Sequence, residues 1–416
     1  MQKITNNIRI VIVAVILILA GISITLHIHN ALLYEPSHGF DGSGHVYYAQ
    51  YIAQNWSLPN PNQWETHQPP LYYIIGALFI LVTRMNIKAL QFVNPIIFFI
   101  FLLVAYIGLK KVFTHKWQIL LGTFSLLALP MLNIFPPMAT NELLNATFIC
   151  AVIVASIFIA YAKTKRELLR AMLFTNIFLA LGFYTKVSIF TAIPAYVTAL
   201  IIQAANGKKL YPTKKFIAIT LLGIILLIAI IVPIFIRTPE HSPNNPLNVA
   251  STPIRRNLYF FTRIDWIWKV DMFTTQYYSF LGGSWNSFWQ DGHNAITPFV
   301  SFHKKVLVLW SLGFVLLPLS IYGLIHFWHK HNRAAMVVFA YAVTALGIYL
   351  LFNLRGNHYS AVRLTYIMPI ALVYAFGIAG AASNTKLRWI LLALLLIQYS
   401  VMVSHFWIQP WWHVTS

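Results

Sequence analysis

The sequence predicts an all-α polytopic membrane protein, and three observations carry that prediction. Apolar residues make up 59% of the 416-residue chain and charged residues only 9%, against about 25% charged in soluble globular domains. Runs of roughly 20 apolar residues, the length a helix needs to cross a bilayer, recur from one end to the other. Those runs, IRIVIVAVILILAGISITL among them, lack the two-residue alternation of a transmembrane barrel strand. The net charge of +20 is spread in short basic clusters between apolar runs. That is the pattern that orients membrane proteins, and no nucleic-acid partner is expected. The single Cys150 lies inside an apolar run, which leaves no disulfide framework and no thiolate metal site.

Eleven spans are expected, at 8–28, 91–109, 117–134, 143–162, 169–185, 188–205, 216–236, 306–328, 334–353, 362–382 and 388–406. The first follows Lys3 and Arg9 without a small-residue cleavage site, so it reads as an uncleaved span. The segment PPLYYIIGALFILV at 69–82 is short, and charge decides its place. If it spanned, the basic residues of 110–116, 163–170 and 208–215 would lie outside, against the positive-inside rule. If it only dips into the outer leaflet, 17 of the 29 basic residues fall in the cytoplasm. Eight acids then face outward: Glu35, Asp41, Glu65, Glu142, Glu240, Asp265, Asp271 and Asp291. The expected topology places the N-terminus in the cytoplasm of a multi-pass cell-membrane protein and the C-terminus outside. A single membrane domain, 1–416, carries two long outer loops, 29–90 and 237–305. Chemistry on that face has no nucleotide donor at hand, and no glycine-rich phosphate loop is present.

Five short stretches carry the candidate chemistry. In HGFDGSGHVYYAQYI (38–52), Asp41 sits at the start of a helix over 45–56. The plain reading is a capping acid in a solvated loop. Tyr48, Ile52 and Trp56 recur at helical spacing, as in a helix lying at the membrane interface. An acid held beside such a helix is a candidate general base, and His45 lies one turn away, within reach of the same substrate. In ETHQPPLYY (65–73), Tyr72 and Tyr73 suit an interfacial anchor. Glu65 and His67 are candidate ligands for a substrate or for a divalent metal, the only cofactor considered. In PPMATNE (136–142), Glu142 stands at the outer mouth of a span, where an acid is either functional or a helix-start charge. In GFYTKVS (182–188), Lys186 lies between two spans and is either a phosphate-neutralising cation or a snorkelling anchor. In RGNHYSAVRLTYIMP (355–369), Arg363 is expected one turn inside the tenth span, with His358 just before it. Arginine binds phosphate oxygens through paired donors.

In order along the chain, these are an Asp after the first span, an HxPPLYY segment, a P…NE turn, a TK between the fifth and sixth spans, and a late RxxYxxP. The chain resembles the GT-C superfamily of membrane glycosyltransferases in that order, over roughly residues 30 to 370. It is most similar to the group holding protein O-mannosyltransferases and the aminoarabinose transferases of lipid A. The stretch SFLGGSWNSFWQDG (279–292) is similar to an SFW…G element of related bacterial proteins. Two departures stand out. Gly42 follows Asp41 where many members carry a second acid. Arg363 and Tyr366, adjacent in many members, are separated here by Leu364 and Thr365. The resemblance implies inverting transfer of one sugar from a polyprenyl-phosphate carrier in the bilayer to an extracytoplasmic acceptor (a glycolipid, a glycan or a protein). Asp41 would serve as general base, with Glu142 orienting the acceptor or tuning Asp41. Lys186 and Arg363 would stabilise the leaving phosphate, with a metal as a candidate helper.

Two other functions compete. A transporter or flippase of lipid-linked sugars predicts internal repeats and charges at mid-membrane; no repeat is visible, and the acids gather at one face. A polymerase or ligase using a pyrophosphate-linked oligosaccharide predicts a late outer loop with Arg and His. Residues 237–305 contain Arg255, Arg256, Arg263, His293 and His303.

Overall fold

The computed structural model describes residues 2–205, 223, 256–268, 278–291, 296, 303–355 and 362–410. Among them every regular element is helical. The helices are α1 (Gln2–Leu33), α2 (Gly42–Asn55), α3 (Leu71–Val82), α4 (Val93–Val112), α5 (Lys116–Leu127), α6 (Glu142–Ala160), α7 (Lys165–Phe183), α8 (Ile193–Ala205), α9 (Phe280–Trp289), α10 (His303–Lys330), α11 (Asn332–Arg355), α12 (Ile370–Ala381) and α13 (Thr385–Phe406), with short turns between them. Six helical stretches among the described residues are long and apolar enough to cross a membrane. The chain is a multi-pass membrane protein. Helix α3 has 12 residues and reaches about 18 Å at 1.5 Å per residue, short of a hydrocarbon core about 30 Å thick.

The bundle is built around α6, whose apolar window is 89% buried. Helices α4, α7, α8 and α11 pack around it. Helices α10 and α12 cross with their backbones in contact. A Cβ on Gly323 would overlap the carbonyl of Gly377, and one on Gly380 would overlap that of Gly323. The Ser320 hydroxyl donates to Tyr374 O at 3.1 Å across the crossing. Lipid offers apolar side chains no gain over protein, so close small-residue packing and interhelical hydrogen bonds hold such pairs.

Two expected spans are corrected. The span 117–134 breaks at Leu127, because Pro130 has no N–H for a continuing helix and instead opens a single turn, Pro130–Asn133. The span 362–382 begins only at Ile370, after Pro369. Arg363 is therefore not inside a helix but in extended backbone, ahead of the 3₁₀ turn Leu364–Ile367. The expected span 216–236 lies outside the described residues apart from Gly223, as do His293 and His358.

The buried stretch 134–141 has no regular structure of its own, and non-helical backbone at this depth needs partners. The side chain of Gln91 donates to Pro137 O at 2.9 Å. That of Asn94 donates to Met138 O at 2.7 Å and Thr140 O at 3.0 Å. These two amides, one in the 3₁₀ turn Ile87–Phe92 and one in the first turn of α4, carry the loop that delivers Glu142. Lys110 and Lys111 close α4 at its other end, where the Lys111 ammonium lies 4.8 Å from the Phe158 ring near the end of α6. The basic loops and the start of α6 thus sit at opposite ends of the bundle.

Candidate active site

Asp41 occupies the N-cap position of α2, with a left-handed φ of 56°, a conformation Asp tolerates better than most residues. Its side chain makes no capping hydrogen bond, so capping does not account for it. Gly42 has no room for the second acid that the resemblance calls for, since a Cβ there would stand 2.7 Å from Ser37 O. A second carboxylate comes from elsewhere. Glu65, itself left-handed at φ 62°, packs against the first turn of α2: a Cβ on Gly44 would lie 3.0 Å from its Cβ and Cγ. Burial and then the nearby Asp41 charge push the Glu65 carboxyl from 4.5 up to about 7.

Glu142 opens α6 and Lys186 ends the link from α7 to the 3₁₀ turn Val187–Ala192. They form a 2.6 Å ion pair with side chains 13% and 21% exposed. Burial presses the Lys186 ammonium down, but Glu142, its hydrogen bond and then Glu65 hold it above its ordinary value. Lys186 is therefore a paired cation and no snorkelling anchor. Asn141 fixes this corner by donating to Thr185 O at 3.2 Å, and Asn145 donates to Ser188 Oγ at 2.9 Å.

Arg363 approaches from the C-terminal half. The Leu364 N–H donates to Ser287 Oγ of α9 at 2.8 Å, which ties the SFW segment to the late motif. The 3₁₀ turn brings Tyr366 back over Arg363, because residues i and i+3 eclipse in that geometry. Arg363 Nη2 donates to Tyr366 OH at 2.7 Å. Its guanidinium lies 4.4 Å from the Tyr366 ring and 4.3 Å from the ring of Phe40, the residue before Asp41. The two intervening residues noted in the sequence thus close the Arg–Tyr contact instead of opening it. Burial opposes the Arg363 charge, but Tyr366, Glu142 and Asp41 together raise its pKa. Its Nε is buried with no hydrogen-bond partner.

The remaining candidates form a layer behind this cluster. His45 is buried, and its Nδ1 is 2.8 Å from Tyr73 OH. Burial and then Lys186 push it down to about 3, so it is neutral. Tyr48 and Tyr73 are fully buried and stacked at 3.9 Å. The Tyr48/Ile52 stripe therefore faces protein; only Trp56, 77% exposed, points away. Tyr72 is buried, with its hydroxyl beside the Thr140 backbone. His67 is half-buried, lowered by burial and then Lys186. Among the described residues no three His, Cys, Asp or Glu side chains are grouped to hold a metal ion, so Glu65 and His67 have no third protein ligand there.

No family model matches the chain and no curated protein sequence matches it. Solved structures do. ArnT from Cupriavidus metallidurans bound to undecaprenyl phosphate superposes with a TM-score of 0.59 at 12% identity, covering 91% of this chain and 63% of that one. The Archaeoglobus fulgidus oligosaccharyltransferase in its apo form gives a TM-score of 0.57 at 13% identity, covering 96% and 56%. The same protein with Zn and sulfate gives 0.56 at 16% identity, covering 94% and 53%. The chain shares the overall helical fold of these two membrane proteins. It spans between about half and two thirds of the length of these matches. Within that fold, the ends of α2, α6 and α7 and the 3₁₀ turn before α12 form one acidic and basic cluster.

That cluster combines a half-exposed carboxylate with a buried guanidinium held nearby by aromatic rings. Such an arrangement can take a proton from a hydroxyl and stabilise an anionic leaving group in one place. The structure brings together Asp41, Glu142, Lys186 and Arg363, all candidates from the sequence; Phe40, Gln91 and Asn94 were not candidates, and Asn141 and Ser287 lay within quoted motifs without being singled out. Tyr366 was already named with Arg363 in the late motif, at i, i+3 spacing.

Proposed function

We propose that this protein is a membrane glycosyltransferase that moves one sugar from a polyprenyl-phosphate carrier to an extracytoplasmic acceptor, with inversion at the anomeric carbon. The observation that carries this reading is the convergence of Asp41, the Glu142–Lys186 pair and Arg363 at one end of a GT-C bundle. Asp41 accepts the acceptor's hydroxyl proton as that oxygen attacks the anomeric carbon and the bond to the carrier phosphate breaks. The departing phosphate gains charge and meets Arg363, whose Nε points to no protein acceptor, within the field of Lys186. Glu142 fixes Lys186 and so shapes the phosphate side of the pocket.

A likeness to a Zn-bound structure raises the question of a metal. The donors present do not fit one: Glu65 holds its proton to about pH 7, His67 lies in the field of Lys186, and no third ligand joins them among the described residues. No step here is assigned to a metal. The cytoplasmic N-terminus, the outward site and the cell-membrane location belong to the same proposal, supported by the basic loops lying opposite the site. A cysteine at 74 left unlabelled by cytoplasmic-side reagents, together with protected residues 84–88, checks it.

The central test is transfer from a polyprenyl-phosphate sugar by purified Asp41→Asn. Removing a general base costs about 10²- to 10⁴-fold, so transfer falls by that factor while insertion and melting are unchanged. Transfer at the wild-type rate removes Asp41 as the base. Mass spectrometry of surface glycans and glycolipids, with and without the gene, names the sugar and the acceptor.

A further inference from the structure

An aromatic strip on the outer face of α2 leads away from Asp41, and the transfer steps above do not use it. Trp64 begins it. Its ring lies directly on the first turn of α2, where a Cβ on Gly44 would stand 2.6 Å from Trp64 Cδ1, so only glycine lets the indole come this close. Trp64 is 53% exposed. Tyr47 and Tyr51 follow Gly44 at i+3 and i+7, which puts them on the same face of the helix. Tyr47 is 38% exposed, and its ring centroid is 6.0 Å from that of Tyr51. Gln54 continues that face and is exposed, as is Gln63 beside Trp64. Asp41 caps the same helix, three residues before Gly44 and about 4.5 Å from it along the axis.

The turn that carries Trp64 is fixed by its own hydrogen bonds. The buried Thr66 hydroxyl lies 2.6 Å from Asn60 O and 2.8 Å from Gln63 O, and Gln68 N donates to Glu65 O at 3.2 Å. A ligand therefore meets a ring already in place, which lowers the cost of binding. The strip is also uncharged. From Gly42 to Trp64 the chain has no Asp, Glu, Lys or Arg; charge begins again at Glu65, which lies in the field of Asp41 and Lys186. Exposed rings without charge, bordered by side-chain amides, suit a sugar. The face of an aromatic ring is negative and attracts the slightly positive C–H groups of a sugar ring, while amides both donate to and accept from hydroxyls. Trp56 and Leu58 are exposed too, but they lie past the far end of α2, about 20 Å from Asp41, and are not part of the strip.

We propose that this strip binds a neutral carbohydrate chain, which stacks on Trp64 and presents a hydroxyl to Asp41. This rests on the transfer reading above and narrows the acceptor to an uncharged glycan. Continuity with Asp41 favours a sugar over a lipid surface, because a ring stacked on Trp64 is within one helical turn of the carboxylate. A phosphate- or uronate-bearing chain would lay its charges along the strip with no counter-charge between Gly42 and Trp64.

The test is binding of the full-length protein, in phosphatidylcholine nanodiscs free of sugar detergents, to an array of neutral oligosaccharides and their uronate- and phosphate-bearing counterparts. Retention on neutral chains is expected. Loss of a stacking ring weakens binding about tenfold, so Trp64→Ala binds that much more weakly. Trp64→Phe keeps a ring face and stays within about threefold of the wild type, and both variants melt like the wild type. A nitroxide on the Trp64→Cys protein reports what covers the strip, since the native Cys150 is buried and stays unlabelled. It is expected to collide more with a water-soluble nickel chelate than with oxygen. No binding of neutral chains, binding of charged chains alone, wild-type binding by Trp64→Ala, or more frequent collision with oxygen overturns the proposal. Binding is read without turnover: transfer without glycan binding counts against the strip alone, and glycan binding without transfer counts against the transfer reading alone.

Discussion

The two halves of the candidate site hold their cations in opposite ways. In the N-terminal half, Lys186 is neutralised by a carboxylate at 2.6 Å, and Glu65 and His45 crowd the same corner. In the C-terminal half, Arg363 is held by the faces of two aromatic rings and one tyrosine hydroxyl. Ring faces orient a guanidinium without consuming its N–H groups. In the proposed reaction the difference would separate two tasks: the paired lysine would set the electrostatic frame, and the ring-clamped arginine, whose Nε has no partner, would keep a donor for the ligand.

The sharpest way to break this contrast is to remove Arg363. Arg363→Met is expected to lower transfer about 10²- to 10³-fold, as removal of one preorganised donor does. Arg363→Lys should recover little, because an ammonium lacks the planar fork. Steady-state transfer by the two purified variants checks this, and full rescue by lysine would put both halves on one footing.

Glu65 provides a pH test of the N-terminal half. Its carboxyl titrates at 4.5 when free and at about 7 in the fold. Below pH 4.5 both states hold the proton and the folded protein keeps its full stability. As pH rises toward 7 the unfolded chain releases a proton that the folded protein retains, so stability falls across that window and then levels. The loss is up to ~3 kcal/mol at 1.36 kcal/mol per unit. Glu65→Gln should flatten the decline in melting temperature between pH 5 and 8; an unchanged slope would assign the decline to other groups.

Breaking the ion pair itself should cost somewhat less. Glu142→Gln strands Lys186, and a fully buried stranded charge costs about 3–5 kcal/mol; partial exposure here brings the expected loss to ~2 kcal/mol. Adding Lys186→Met should restore part of it, and thermal melts of the double-mutant cycle measure the recovery. Tyr366→Phe is the mildest change. It keeps the ring against Arg363 and deletes one hydrogen bond, worth about 0.5–1.5 kcal/mol, so KM for the donor should rise a few-fold with kcat nearly unchanged.

Much of the molecule was legible in the sequence because bilayer crossing is a one-dimensional problem. Length, apolarity and the side on which charge falls follow from composition along the chain, and most of the expected spans coincide with helices. The errors fall at prolines. Pro130 and Pro369 each cut a helix out of a continuous apolar run, and hydropathy does not register the missing N–H. The site was legible as a set of polar residues at span ends, where an isolated charge needs a reason to exist. Its internal pairing was not.

Sequence by itself determined the membrane class, the order of the motifs, and Asp41, Glu142, Lys186 and Arg363 as the groups to watch. Only the tertiary structure decided which of them neutralise one another. It set Lys186 on Glu142 across 44 residues and Arg363 on Phe40, in the opposite half of the chain. It also brought Glu65 to the turn where Gly42 leaves no room. Electrostatic interaction depends on distance and burial, and neither exists until helices far apart in sequence have packed.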